Sequence, residues 1–153
     1  MSEPGQQPYL LDVAPLLALL WEGHEHHERT MAWLTKGKMA VCPVTELGFL
    51  RISTQPAFGA TFPQAKRMLR DWKEAEKPEF IPCDLDALDM DDPSTGKHTT
   101  DFYLASLAQK HGMQLATLDE GIKHQAAFVI PAWNTFPASR LPDSRRSPRA
   151  MTR

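Results

Sequence analysis

The stretch from residue 99 to residue 122, TTDFYLASLAQKHGMQLATLDEGI, decides the fold class. Thr99 and Thr100 follow a glycine-containing loop and can cap a helix, and Leu104, Leu107, Ala108 and His111 form its core stripe at helical spacing. Gly112 supplies the left-handed position that ends such a helix. The next run, Gln114 to Leu118, is apolar and too short for a second helix, so it reads as a buried strand, and it closes on Asp119. A helix feeding directly into a short buried strand is half of a β-α-β unit and implies a parallel sheet.

The same alternation extends in both directions. Strands are expected at residues 8–12, 39–44, 79–83, 114–118 and 127–130, and helices at 15–21, 24–35, 45–52, 63–77 and 99–111, with a short one near 85–90. For the 63–77 helix, Thr61 is the expected N-cap and Pro63 lies in the first turn; Ala65, Met68, Leu69 and Trp72 then form one apolar stripe. Trp21 and Trp33 also fall at core positions of their helices, while Trp133 begins the C-terminal tail. The expected architecture is an α/β/α three-layer sandwich around a mainly parallel five-stranded sheet.

At 153 residues the chain suits one domain, placed at residues 8–131 and flanked by segments expected to be disordered at 1–7 and 132–153. The net charge of -2 excludes a protein that binds nucleic acid by bulk positive charge. That charge is unevenly distributed. Residues 132–153 carry five arginines and one acid, a net of +4, while the other 131 residues carry 12 basic and 18 acidic side chains, a net of -6. Such a tail is either a solvated extremity or an RNA-contacting arm. Cys42 and Cys83, both in apolar runs, read as reduced core thiols of a cytoplasmic protein. The Tyr9–Trp21 run is interrupted by Asp12 and lacks a basic flank, so neither a leader nor a membrane span is expected.

Four acids mark the candidate site. Asp12 and Asp119 each close a strand, Glu46 lies in the first turn of the helix after the second strand, and Asp101 lies in the first turn of the 99–111 helix. The C-terminal rim of an open α/β sheet is where ligands bind. Carboxylates converging there repel one another, so they take up protons or bind a hard cation such as Mg²⁺ or Mn²⁺. Such an ion suits phosphodiester hydrolysis. Read singly, Asp12 and Asp119 are also ordinary helix caps, and Glu46 and Asp101 ordinary first-turn acids favoured by the helix dipole.

Other chemistries lack their motifs. No Gly-x-Gly-x-x-Gly or Gly-x-x-x-x-Gly-Lys-Ser/Thr occurs, the paired acids and late lysine of a phospho-acceptor domain are missing, and Ala14 stands where an Asp-x-Asp phosphatase needs its second acid. His24, His26 and His27 suggest a zinc tract, but His-Glu-x-x-His spacing is absent and no fourth ligand is evident. His98, three residues before Asp101, is either an idle loop histidine or an RNA contact.

Taken in order, LLDVAPLLALLWEGHEHHERTMAWL, PVTELGFLRISTQP and TTDFYLASLAQKHGMQLATLDEGI resemble the PIN-domain ribonucleases, in particular the VapC-type toxins of bacterial toxin-antitoxin pairs, over about Tyr9 to Pro131. The resemblance implies that Asp12, Glu46, Asp101 and Asp119 are catalytic and hold Mg²⁺ or Mn²⁺. It implies that Thr117 lies beside the metal, with Thr117 and Arg51 as substrate contacts; for Arg51 a solvated surface position is the competing reading. It implies a metal-dependent endoribonuclease acting on structured RNA such as tRNA or rRNA, a homodimer, and a VapB-type antitoxin that brings an Arg or Lys into the acidic cluster. For His24, His26 and His27 the resemblance implies a capping or dimer-surface role in place of a zinc site. A non-catalytic RNA- or protein-binding module and a DNA nuclease are the rival readings. The sequence departs from the family at Asp12-Val13-Ala14, where a polar residue often follows the aspartate.

Overall fold

The computed structural model describes residues 7–34 and 37–132. Five parallel strands, β1 (Tyr9–Leu11), β2 (Met39–Val41), β3 (Glu79–Phe80), β4 (Gln114–Thr117) and β5 (Ala127–Val129), form one sheet in the order β3-β2-β1-β4-β5. The helices are α1 (Val13–Leu20), α2 (His27–Trp33), α3 (Pro43–Ser53), α4 (Phe62–Glu76) and α5 (Thr99–Lys110).

Strand alternation divides the core. Leu10, Ala40 and Leu115 face one way and pack with α5 through Leu104, Leu107 and Ala108. Their neighbours Leu11, Val41 and Ala116 face the other way, onto Leu16, Leu17, Phe49 and Leu69 of α1, α3 and α4. The three-layer sandwich follows from this division. The chain steps outward from β1 to β2 to β3 with α1 to α4 on one face, then returns to β4 through α5 on the other face, as right-handed crossovers require. Strand order therefore reverses between β1 and β4, and the crevice at their C-terminal ends is the expected ligand position.

Boundaries moved where a local hydrogen bond or a proline intervened. Helix α1 begins at Val13, because the Asp12 carboxylate accepts from the Val13 N–H at 2.8 Å and caps it. Strand β2 stops at Val41 because Pro43 opens α3, its fixed φ suiting a first helical turn. The 79–83 strand is only Glu79–Phe80; Ile81 still donates to Val41 O, and Pro82 has no N–H with which to continue. Helix α2 starts three residues late because the His24 ring accepts from the His26 N–H and holds a turn. The expected 85–90 helix is a single 3₁₀ turn, Ala87–Asp89. Thr61 caps α4 in a reciprocal capping box with Gln64.

His111 is not part of the α5 stripe: it follows the helix and its Nε2 lies 2.8 Å from Asp84 Oδ1. Gly112, with φ +73, takes the expected left-handed turn. Cys42 is buried and Cys83 half-buried, both as free thiols. Trp21, Trp33 and Trp72 flank the core half-buried, and the Trp21 indole N–H donates to Ser53 Oγ at 3.0 Å. Trp133 and, apart from residues 7 and 132, the flanking segments expected to be disordered lie outside the described residues. Among the described residues no helix is long and apolar enough to cross a membrane.

Gly48 explains the apolar residue after Asp12. A Cβ at position 48 would stand 2.4 Å from Val13 Cγ2, far inside van der Waals contact, so the glycine lets α3 close on the stiff, β-branched Val13 of α1. Val13 thus takes part in helix packing where the family often has a polar residue.

Candidate functional site

The β1–β4 crevice is built by three junctions. Asp12 ends β1 and caps α1, Asp119 follows β4 by two residues, and Asp101 sits in the first turn of α5. Thr117, the last residue of β4, ties two of them together: its hydroxyl donates to Asp12 Oδ2 at 2.9 Å and accepts from the Asp119 N–H at 3.1 Å. Asp119 Oδ1 in turn accepts from the Gly121 N–H at 2.8 Å, which fixes the carboxylate within its own turn. Asp101 Oδ2 lies 3.1 Å from His98 Nδ1.

Asp12 is only 6% exposed. Its burial, then the negative charge of Asp101 and, less strongly, of Asp119 push its pKa up from 3.8 to about 6, against the hydrogen bonds from Val13 and Thr117 that favour the anion. The crevice therefore disfavours the charge of Asp12. One donor atom each from His98, Asp101 and Asp119 lies within 4.8 Å of the other two, close enough to share a cation. Among the described residues no other group of three or more His, Cys, Asp or Glu side chains does so. Oxygen donors predominate and the local charge is strongly negative, a donor set that fits a hard divalent ion such as Mg²⁺ or Mn²⁺.

Glu46 stands apart from this cluster. Its Oε2 lies 2.5 Å from Lys73 Nζ of α4, and that ammonium also lies 4.9 Å from the centre of the Phe80 ring. Arg51 is exposed in the last turn of α3; five residues turn the helix by about 500°, leaving it about 140° around the axis from Glu46.

Residues 9–127 match the PIN domain family. The chain belongs to that family. It is 37% identical over 123 residues to ribonuclease VapC38 of Mycobacterium tuberculosis, covering 74% of this chain and 86% of that protein. Ribonuclease VapC44 of the same organism is 36% identical over 123 residues, covering 74% of this chain and 87% of the relative. Ribonuclease VapC29 is 33% identical over 129 residues, covering 80% and 96%. The chain is thus a PIN domain of the VapC type.

Within this PIN domain the histidine tract is structural. His27 Nδ1 donates to Ala18 O at 2.7 Å, joining α2 to α1, and His24 accepts from the His26 N–H. His26 Nδ1 lies 3.3 Å from the Arg29 guanidinium, which donates to the carbonyls of Ile130 and Pro131. The zinc reading has no geometry behind it among the described residues.

The expectation that Thr117 contacts substrate is corrected. Its side chain is fully buried, and its hydroxyl is engaged by Asp12 and Asp119. Its role is to orient and ionise Asp12. Thr117→Val is therefore expected to cost about 1–3 kcal/mol of stability, by stranding buried polar partners. If Asp12 holds a metal, the loss of the group that orients it is also expected to lower RNA cleavage about 10–100-fold. Loss of the Thr117 hydrogen bond removes a contact that lowers the Asp12 pKa, so the residual activity should move to higher pH. Thr117→Ser should restore both the rate and the pH profile.

Sequence reasoning missed Lys73 and Gly121. Lys73 meets Glu46 across 27 positions and two helices, a contact no local pattern signals. His98 was visible as a neighbour of Asp101, but not the near-burial of its ring, 12% exposed, against the acids.

Proposed function

We propose that this PIN domain is a metal-dependent endoribonuclease that cleaves structured RNA, tRNA or rRNA, as the toxin of a toxin-antitoxin pair in the cytoplasm. The observation that carries this reading is the β1–β4 crevice, where His98, Asp101 and Asp119 lie close enough to share a cation and the buried Asp12 feels the charges of both aspartates. The similarity to proteins named VapC ribonucleases supports the substrate class.

Asp12, Asp101 and Asp119 are the residues that would hold Mg²⁺ or Mn²⁺, with Glu46 as a fourth acid on the same rim. A divalent ion bound there supplies Lewis acidity toward a phosphoryl oxygen and lowers the pKa of water. The chain's own residues do the positioning. Thr117 keeps the Asp12 carboxylate ionised and aimed, the Gly121 N–H holds Asp119, and α5 presents Asp101 from its first turn, where the helix dipole favours an anion. Lys73 holds Glu46 apart from the cluster.

The negative crevice also fits the expected partner, a VapB-type antitoxin that inserts an Arg or Lys among the acids, and the working unit is proposed to be a homodimer. Expression of the wild type in a bacterial host should arrest growth, while Asp101→Asn expressed at the same level should not. Equal growth arrest by both proteins would remove the acids from the mechanism.

A further inference from the structure

We infer that His98 is a nitrogen ligand of the metal centre, so that the site favours Mn²⁺ over Mg²⁺. This rests on the metal-dependent reading of the crevice and goes beyond it, because the acids alone make an all-oxygen site with no such preference.

His98 is held in place. It closes the 3₁₀ turn Gly96–His98, capped by Thr95, and Thr99 Oγ1 donates to Gly96 O at 2.6 Å, so the backbone before α5 is pinned from both sides. The ring is 12% exposed and packs beside Gly121, where a Cβ would stand 3.7 Å from His98 Nε2 and 3.1 Å from Asp119 Oδ1. The absence of a side chain at 121 is what allows imidazole and carboxylate to lie side by side.

His98 Nδ1 lies 3.1 Å from Asp101 Oδ2, so the imidazole and the carboxylate meet at the crevice. His98, Asp101 and Asp119 each offer one donor atom to the same ion. Donor atoms of the three already lie within 4.8 Å of one another. An imidazole donor favours the ion higher in the divalent series and discriminates against Mg²⁺, which prefers oxygen and retains its water.

The test uses the full chain. Mn²⁺ is bound to wild type, His98→Ala and His98→Gln, and each is examined by pulsed electron paramagnetic resonance for a directly coordinated ¹⁴N, while calorimetry measures Mn²⁺ and Mg²⁺ affinities. Folding of each variant is confirmed by circular dichroism. The wild type should show one imidazole nitrogen coupling, absent from both variants. The ratio of Mn²⁺ to Mg²⁺ affinity should fall about tenfold or more on substitution. Mn²⁺ bound in the wild type without a directly coordinated ¹⁴N, or an affinity ratio unchanged in both variants, would overturn the role of His98 and leave the acidic centre standing. Failure of the wild type to bind either ion would overturn both.

Discussion

Asp12→Asn is expected to lower RNA cleavage about 10³-fold and, in the same protein freed of metal by EDTA, to raise the melting temperature at pH 7.5. The activity loss follows from removing one of the charges proposed to hold the cation. If that costs about 4 kcal/mol of transition-state stabilisation, the rate falls by about three powers of ten. The stability gain follows from the raised pKa. Folding lifts the Asp12 carboxyl from 3.8 to about 6, so the folded state holds its proton more tightly than the unfolded chain does. The ionised carboxylate therefore penalises the fold in full above about pH 6, progressively less between pH 6 and 4, and not at all below 3.8.

By linkage the penalty at neutral pH is about 3 kcal/mol. An amide escapes it, but reverses the hydrogen bond with Thr117 Oγ1, so a net gain of about 1–2 kcal/mol remains. That is about 3–6 °C for a domain of this size. Thermal melts of both proteins from pH 4 to pH 8 check the sign. The curves should separate above pH 6 and converge toward pH 4. Saturating Mn²⁺ should stabilise the wild type more than the variant and narrow the gap at pH 7.5.

Phe49→Ala should have the largest effect on the fold. Phe49 is fully buried on α3, in the apolar cluster shared with Leu16, Leu17, Ala65 and Leu69. Truncating a buried phenylalanine costs about 3–5 kcal/mol, part of it for the cavity left behind. A fall in melting temperature of about 10–15 °C is expected by calorimetry. Asp12, Asp101 and Asp119 lose no hydrogen bond in this variant, so Mn²⁺ should still bind the folded protein. A change in melting temperature of only a few degrees would show that α3 does not seal the core as described.

The contrast between these two residues shows what was legible in advance. Asp12, Asp101 and Asp119 stand out in sequence because each interrupts a strand or opens a helix at a position the topology brings to one rim. The strand and helix content was legible for the same reason: short apolar runs bounded by Gly, Pro and charged residues permit few alternatives. Glu46 was legible as a first-turn acid, but not its engagement by Lys73, which depends on how α3 and α4 pack. Thr117 was legible as a neighbour of the acids, whereas its burial, which excludes substrate contact, depends on β4 lying between β1 and β5. His98 stayed ambiguous because a histidine three residues before an acid is common, and only the close approach at Gly121 shows where the ring lies.

The proposed function requires that Asp12, Asp101 and Asp119 form a divalent-metal centre that hydrolyses RNA. The most direct measurement is cleavage of total bacterial RNA by the purified full chain, mapped at nucleotide resolution with Mn²⁺, with Mg²⁺ and with EDTA, for wild type and Asp101→Asn. Cleavage at a small number of positions in tRNA or rRNA, dependent on the divalent ion and lost in Asp101→Asn, is the expected result. RNA left intact by the wild type with either ion, or cut equally by Asp101→Asn in EDTA, would contradict it.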